Sequence, residues 1–375
     1  MKQLIYADNA ATTKLDADAF EAMKPFLLDE YGNASQPYSF SRSAKEALKR
    51  ARETIASCIN AEPDEIFFTS GGTESDNWAI KGSAFSDADF RTTITSRIEH
   101  HAVLNSCLAI ERMQYPVTYL RATQDGVITP TELESVINNP TRLVSVMLVN
   151  NEIGTIQPVK ELCAIAHAYG AVFHTDAVQA LGHIPVDVRD FGIDMLSASA
   201  HKFNGPKGIG FLYIRKGTAI TSYADGGAQE RGLRAGTENV ASIVGMAVSL
   251  KKNCETMEAN AAHLKSLDEA IVTALDESGI DYQRNGGKNR VPGSISLSFK
   301  DADGEALLHR LDLMGICVST GSACDSVNTQ VSHVLQAIGL PAEYAIGTIR
   351  ISLGKNNTLE EAHAIVKAIQ RILQG

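Results

Sequence analysis

The chain has 375 residues and is 44% hydrophobic, which is enough for a large core and favours one large domain plus a smaller one. Its 34 Lys and Arg residues against 44 Asp and Glu residues give a net charge of −10 without a long block of either sign, which argues against nucleic acid or a membrane surface as the main partner. The six cysteines are scattered without a C-x-x-C pair, so we expect neither a disulfide framework nor a metal site, and the cytoplasm is the default location.

The N-terminal region reads as a short extended segment followed by helices. Residues 1–8 contain no apolar h-region and the chain has no apolar stretch long enough to span a bilayer, so neither a signal peptide nor a membrane segment is expected. A turn over 8–13 precedes a predicted helix at 17–28. A glycine- and proline-containing loop at 31–37 then leads to an amphipathic helix at 41–59.

From residue 65 onward, strands and helices alternate. Strands are predicted at 66–69, 92–96, 117–120, 143–149, 171–175, 195–198 and 211–214, and helices at 74–85, 101–113, 130–137 and 159–169. This alternation indicates an α/β fold with a mostly parallel sheet flanked by helices. Ligands of such sheets bind beyond the carboxyl ends of the strands.

The C-terminal third has a different character. Residues 240–278 are predicted to be mainly helical, and residues 294–299 alternate like a half-buried strand. Short strands at 317–319 and 348–353 lie among predicted helices, the last of which begins after a capping box at Thr358. We therefore predict a large domain over 15–259 and a smaller α+β domain formed by 1–14 and 260–375.

A lysine at the end of a buried strand is the most informative single residue. The apolar run 195–198 leads into Ser199-Ala200-His201-Lys202, and a second apolar run follows at 211–214. A desolvated lysine amine can form a Schiff base, whereas an ion-paired structural lysine would give the same pattern. The stretch by itself leaves both readings open.

Two further strand ends carry polar groups. The turn at 70–73 precedes a helix and would suit a phosphate, although such a stretch by itself is more often a plain tight turn. Asp176 follows the strand at 171–175 and could pair with a protonated pyridine nitrogen or cap a helix. Together with Lys202, these features predict pyridoxal phosphate (PLP). His100 could stack on the ring of that cofactor or be structural.

Seven segments, in order along the chain, resemble the cysteine desulfurases, which are PLP enzymes of aminotransferase class V with fold type I. These segments are 69–77, 99–103, 150–154, 174–179, 199–202, 227–239 and 321–324. The resemblance extends from Asp8 to Gly354. The short stretch between Cys324 and Ser332 resembles the branch that includes the nitrogen-fixation and housekeeping iron–sulfur enzymes.

The resemblance implies a role for each matching residue. Lys202 would carry the cofactor, Asp176 would pair with its ring nitrogen, and Cys324 would accept sulfur. The other implied cofactor residues are His100 stacked on the ring, Asn151 near it, Gln179 at the ring hydroxyl, Gly72, Thr73, Ser199 and His201 around the phosphate, and Thr237 at the phosphate of the partner subunit. Arg350 would bind the substrate carboxylate, with Asn33 and Asn151 beside it.

The implied activity is removal of sulfur from L-cysteine, giving L-alanine and a persulfide on Cys324. The implied partners are a second copy of the chain and a sulfur acceptor such as an iron–sulfur scaffold protein. A selenocysteine lyase, another class V enzyme or a non-catalytic scaffold with this fold are the alternatives. One departure concerns the substrate side: the family pattern Gly-Asn-Pro-Ser-Ser-x-His is replaced here by Gly32-Asn33-Ala34-Ser35-Gln36-Pro37-Tyr38.

Overall fold

The computed structural model describes residues 4–86, 88–138, 140–320 and 331–375. The strands are β1 Ile5–Tyr6, β2 Ile66–Thr69, β3 Thr92–Ser96, β4 Val117–Leu120, β5 Thr141–Ser145, β6 Val172–Asp176, β7 Met195–Ser199, β8 Gly210–Ile214, β9 Tyr282–Arg284, β10 Ser294–Phe299, β11 Ile316–Cys317 and β12 Thr348–Ser352. The helices are α1 Ala17–Leu28, α2 Arg42–Cys58, α3 Gly72–Phe85, α4 His101–Arg112, α5 Pro130–Val136, α6 Val159–Ala168, α7 Val188–Phe191, α8 Val240–Glu255, α9 Met257–Asp276, α10 Gly304–Leu313, α11 His333–Ala337, α12 Ala342–Ala345 and α13 Leu359–Leu373.

The large sheet has the strand order β2-β8-β7-β6-β5-β3-β4. Within the described part of this sheet, strands β3 to β7 pair in parallel, and the contacts of β8 with β2 and β7 are antiparallel. Residues of β5, β7 and β8 are buried throughout, as expected for strands that are covered by helices on both faces. The predicted α/β architecture with a mostly parallel sheet is confirmed.

Strand β5 ends earlier than the sequence predicts. The predicted strand at 143–149 is observed at Thr141–Ser145. Residues 146–149 stay buried, and Val146 and Leu148 still donate backbone hydrogen bonds to the carbonyls of His174 and Asp176. Val149 then bridges to Ile156, so the chain leaves the sheet through a turn that carries Asn151 toward the strand ends.

A small antiparallel sheet has the strand order β12-β10-β9. The sequence predicts that β10 is half-buried, and this prediction is wrong. All six residues of β10 are buried. Its alternating serines resemble a solvent-facing set, but they are paired inside the protein. The Asn285 amide donates to Ser296 and Ser298, and the Ser298 hydroxyl lies 2.6 Å from that of Thr348.

A separate hydrophobic core surrounds the small sheet. It combines residues of β10, β12, α9, α10 and α13 with Ile5 and Ala7 from the N-terminal segment. Strand β1 pairs in parallel with β11, which attaches the N-terminus to this part of the molecule. The domain boundaries at 14/15 and 259/260 stay a prediction.

The described part of the chain contains neither a candidate membrane span nor a candidate metal site. No helix there is both long and apolar enough to cross a membrane. The same residues contain no group of three or more His, Cys, Asp or Glu side chains arranged to hold a metal ion.

The loop at 224–239 is anchored to the large sheet by an ion pair. Glu230 is 7% exposed, and its carboxylate accepts bonds of 2.8 and 2.9 Å from Arg52 on α2 and of 3.0 Å from the Phe68 amide. Glu230 and Arg231 both have positive φ angles, 42° and 59°, which are costly for residues with side chains. The ion pair and the packing of Arg231 on the Phe67 ring hold this backbone in place.

We expect Glu230→Ala to lower the free energy of unfolding by about 3 kcal/mol, because it leaves the partly buried Arg52 guanidinium without its charged partner. Urea unfolding followed by circular dichroism measures this loss. Glu53→Ala is the matched control, since Glu53 and Lys49 form an exposed pair at 3.8 Å on the same helix. It should change the free energy by less than about 1 kcal/mol. Equal effects of the two substitutions would contradict the anchoring role.

Candidate active site

Several strand ends of the large sheet open into one cavity of about 380 Å³. Adjacent parallel strands β6 and β7 place Asp176 and Lys202 at the same edge of the sheet, as the alternation of elements requires. The N-terminal segment, the starts of α3, α4 and α11, and β12 complete the walls. The lining residues are Ala10, Ala11, Gly72, Thr73, Asp76, His100, His101, Met147, Asn151, Glu152, Asp176, Val178, Gln179, Ser199, His201, Lys202, Ser332, His333 and Arg350.

Lys202 is held at this cavity by backbone carbonyls. It ends a short 3₁₀ turn, Ala200–Lys202, that follows β7 directly. Its Nζ donates to the carbonyl oxygens of Ala10 and Ala11, the latter at 2.9 Å. These carbonyls orient the amine, and a ligand in the cavity could replace them as its partners.

Asp176 is the acidic group of the cavity floor. It is 5% exposed, and its Oδ1 accepts a hydrogen bond of 2.9 Å from the amide of Val178. Burial raises the pKa of Asp176 to about 6, although the Val178 bond and the positive charge of Lys202 act in the opposite direction. A buried carboxylate of this kind is stabilised by a cationic group of a ligand.

His100 contributes a neutral ring to the cavity. It caps α4, with its Nδ1 accepting a 3.1 Å hydrogen bond from the amide of Ala102. Burial, followed by the charges of Lys202 and His101, lowers the pKa of His100 to about 4. At neutral pH the ring is therefore uncharged with its proton on Nε2, and it presents a flat surface suited to stacking.

The N-terminus of α3 forms the opposite end of the cavity. Gly71, with a φ of 152°, is the N-cap residue of α3. Because no side chain caps this helix, its first backbone amides are available to an anion. A Cβ on Gly72 would lie 2.6 Å from a Val178 methyl group, so glycine is needed to bring the helix against the turn after Asp176. Thr73, Ser199 and His201 line this end as well.

Arg350 lies on the wall opposite the large sheet. It is 6% exposed, its Nη2 lies 2.9 Å from Asp8 Oδ1, and its Nη1 donates at 2.9 Å to the Asn151 carbonyl. Its Nε is buried and has no hydrogen-bond partner among the described residues. A carboxylate ligand would satisfy that donor.

Two of the predicted site residues that the structure describes, Asn33 and Thr237, are not in this cavity lining. Asn33 instead accepts a 2.8 Å bond from the Ser35 amide. Thr237 lines another cavity, of about 200 Å³, beside Ser70 and Arg234. Cys324 lies outside the residues that the structure describes.

The structure also adds residues that our sequence analysis did not identify. Asp76, His101, Glu152 and His333 all line the cavity. For Asp76 a signal exists, because it follows Gly72 by one helical turn and must share its face. Hydrogen bonds between residues far apart in the chain bring Ser332 and His333 to the cavity. Ser332 Oγ donates to the Glu152 carboxylate at 2.5 Å, and His333 Nε2 lies 2.9 Å from the Glu99 carbonyl oxygen.

Comparison with known proteins supports the resemblance to the cysteine desulfurases. The chain matches the family model described as aminotransferase class V over residues 5–365. It is 47% identical over 376 residues to the cysteine desulfurase IscS of Dictyoglomus turgidum, which covers 100% of this chain and 95% of that protein.

Solved structures give the same result. A NifS-like protein superposes with a TM-score of 0.94 at 39% identity, covering 99% of this chain and 100% of its own. A structure described as SspA in complex with cysteine has a TM-score of 0.84 at 36% identity, covering 96% of this chain and 100% of its own. The resemblance seen in the motifs is confirmed, and the chain belongs to the class V aminotransferase family and, within it, to the cysteine desulfurases.

Proposed function

We propose that the protein is a PLP-dependent cysteine desulfurase, which converts L-cysteine to L-alanine and leaves a persulfide on Cys324. The observation that carries this proposal is the grouping of one amine, one buried carboxyl group and one buried guanidinium around a single cavity. These groups belong to Lys202, Asp176 and Arg350. The persulfide sulfur would then pass to an acceptor, such as an iron–sulfur scaffold protein or an enzyme that makes thiolated products.

The cavity residues fit PLP. Asp176 is a buried carboxyl group that gains from a cationic ring nitrogen, and the uncapped amides of α3 with Thr73, Ser199 and His201 suit a phosphate. His100 would cover one face of the ring, and Gln179 and Asn151 would lie at its edge. When bound, PLP supplies an aldehyde that reacts with amines and a ring that withdraws electrons from the substrate Cα.

Arg350 and Lys202 act on the substrate. The free Nε of Arg350, together with an Nη group, would bind the carboxylate of L-cysteine in a bidentate manner. Lys202 Nζ would remove the Cα proton and later return a proton on the path to alanine. The carbonyls of Ala10 and Ala11 would hold this amine in place during both transfers.

Cys324 would act on the substrate sulfur. Its thiolate attacks that sulfur, an S–S bond forms, and the Cβ–S bond breaks with its electron pair going to the carbon skeleton. The flanking residue Ser319 exchanges backbone hydrogen bonds with Arg350, and Ser332 is bonded to Glu152 at the cavity.

Borohydride reduction of the PLP-loaded protein should fix the cofactor on Lys202, because this amine lies in the cavity. Peptide mass spectrometry locates the adduct, and Lys202→Ala should lose both the adduct and the visible absorption of the resting enzyme. Lys207→Ala is the matched control, since Lys207 is exposed on the same loop, and it should keep both. An adduct on any other lysine would overturn the assignment.

Cys324→Ala and Cys324→Ser should remain folded and bind PLP, because the cofactor groups are untouched. Both should change their visible spectrum when L-cysteine is added, yet make alanine at least about a hundredfold more slowly. Neither should form a persulfide. Cys254→Ser on α8 serves as the control and should turn over normally. After brief exposure of the wild type to L-cysteine, mass spectrometry should find one added sulfur on the Cys324 peptide. Sulfur on a different cysteine would refute the proposed step.

The protein should be a homodimer in which Thr237 completes the partner's phosphate site. Thr237→Ala should weaken PLP binding by about tenfold or more, the equivalent of one charge-assisted hydrogen bond. Light scattering should show dimers for both proteins.

Mixed dimers provide the decisive test. When the Thr237→Ala and Lys202→Ala proteins exchange subunits, each mixed dimer should contain a site with both the native Lys202 and the native Thr237. These sites should regain wild-type PLP affinity and turnover. An active, PLP-loaded monomer, or no recovery on mixing, would exclude a shared site.

A further inference from the structure

A line of buried polar groups crosses the large sheet beneath the cavity. Ser145 on β5, His174 on β6 and Ser197 on β7 are each fully buried. Ser145 Oγ lies 2.8 Å from His174 Nδ1, and His174 Nε2 lies 3.0 Å from Ser197 Oγ. The carboxyl group of Asp76 on α3 lies beside the Ser197 hydroxyl, and its Oδ1 is 3.7 Å from His174 Nε2. The line therefore ends at a cavity residue.

Asp76 is the end of this line and belongs to the cavity wall. It is 1% exposed, and its Oδ1 has no hydrogen-bond partner among the described residues. His174 Nε2 lies 3.7 Å from that oxygen but is already directed at Ser197. A fully buried, unsatisfied oxygen beside a ligand cavity requires an explanation.

Burial and the groups around Asp76 disfavour its charged form. The titratable groups that act on it are Asp176 and Glu99, which are both acidic, and the nearby His174. Burial lowers the pKa of His174 to about 3, so His174 brings no positive charge. Burial and the neighbouring Asp176 raise the pKa of Asp76 well above its usual value. Lys202 acts on Asp176 and stabilises that carboxylate.

We propose that Asp76 is a positioning residue of the cofactor site. It is a second carboxyl group of the cavity floor, it is protonated, and it is oriented through Ser197 and His174. The negative charge of the Asp76–Asp176 pair therefore stays on Asp176. The inference rests on the proposed function, because it assigns Asp76 a role toward bound PLP.

The arrangement has a simple physical advantage. Two buried carboxylates would repel each other and favour a displaced Asp176, whereas a neutral neighbour allows Asp176 to keep its bond to Val178 and face a cationic ring nitrogen. Asn at position 76 has nearly the same shape and is neutral at every pH. The proposal therefore predicts that Asn can replace this aspartate and Ala cannot.

The experiment uses full-length wild type, Asp76→Asn, Asp76→Ala and Asp176→Asn, each stripped of cofactor. PLP affinity is titrated from about pH 6 to about pH 9, and the melting temperature of each apoprotein is recorded over the same range. We expect Asp76→Asn to bind PLP within about threefold of wild type near pH 7, and Asp76→Ala and Asp176→Asn to bind at least about tenfold more weakly.

The pH series separates positioning from simple packing. A carboxyl group whose pKa is raised by folding destabilises the folded state as the pH increases through that range. The wild-type apoprotein should therefore lose melting temperature more steeply than Asp76→Asn, which lacks this titrating group. The pH profile of PLP affinity should likewise be flatter in Asp76→Asn.

Two results would overturn the proposal. If Asp76→Asn loses PLP as severely as Asp176→Asn does, position 76 needs its charge. If Asp76→Ala binds PLP with the wild-type affinity and pH profile, the residue has no role at the cofactor. Failure of the wild type itself to bind PLP would instead refute the proposed function, and the apoprotein melting series would still test the protonation state of Asp76.

Discussion

The active site depends on holding an amine and a carboxyl group at one water-poor edge of a sheet. Lys202 and Asp176 can meet there because β6 and β7 run in parallel as neighbours, and parallel strands end at a common edge. Burial makes the charge on Asp176 costly, so the site is poised to bind a cationic group. The helices and loops around the sheet maintain this burial while they leave a cavity between them.

The N-terminal segment links the two cores across that cavity. Asp8 pairs with Arg350, and the amide of Ala10 donates to the Ser352 hydroxyl, so the segment is attached to β12 of the small sheet. The carbonyl oxygen of Ala10 also accepts hydrogen bonds from the side chains of Lys202 and Gln179, which lie at the edge of the large sheet. A short stretch of backbone thus couples the position of the Lys202 amine to the position of the Arg350 guanidinium.

Neutral histidines recur around the site for the same reason. Burial lowers the pKa values of His100 and His201 to about 4, and Lys202 adds to the effect in both. A histidine kept uncharged can serve as a hydrogen-bonding and stacking surface without competing with Lys202 for the charge of Asp176. The buried His174 extends this principle beneath the cavity floor.

Much of the fold and of the cofactor site could be predicted from the sequence. The alternation of strands and helices depends on local periodicity, and the residues at the ends of β6 and β7 must converge once the sheet is parallel, so the grouping of Lys202 and Asp176 could be expected. The burial of β10 could not, because its serines look solvent-facing until Asn285 and Thr348 are folded against them. The pairing of Asp76 with Ser197 and the arrival of His333 at His101 likewise join residues far apart in the chain. Local sequence thus determined which residues are candidates for the chemistry. Only the tertiary structure decided which of them share a cavity and a charge balance, because burial and electrostatic coupling depend on neighbours that the chain brings together only when it folds.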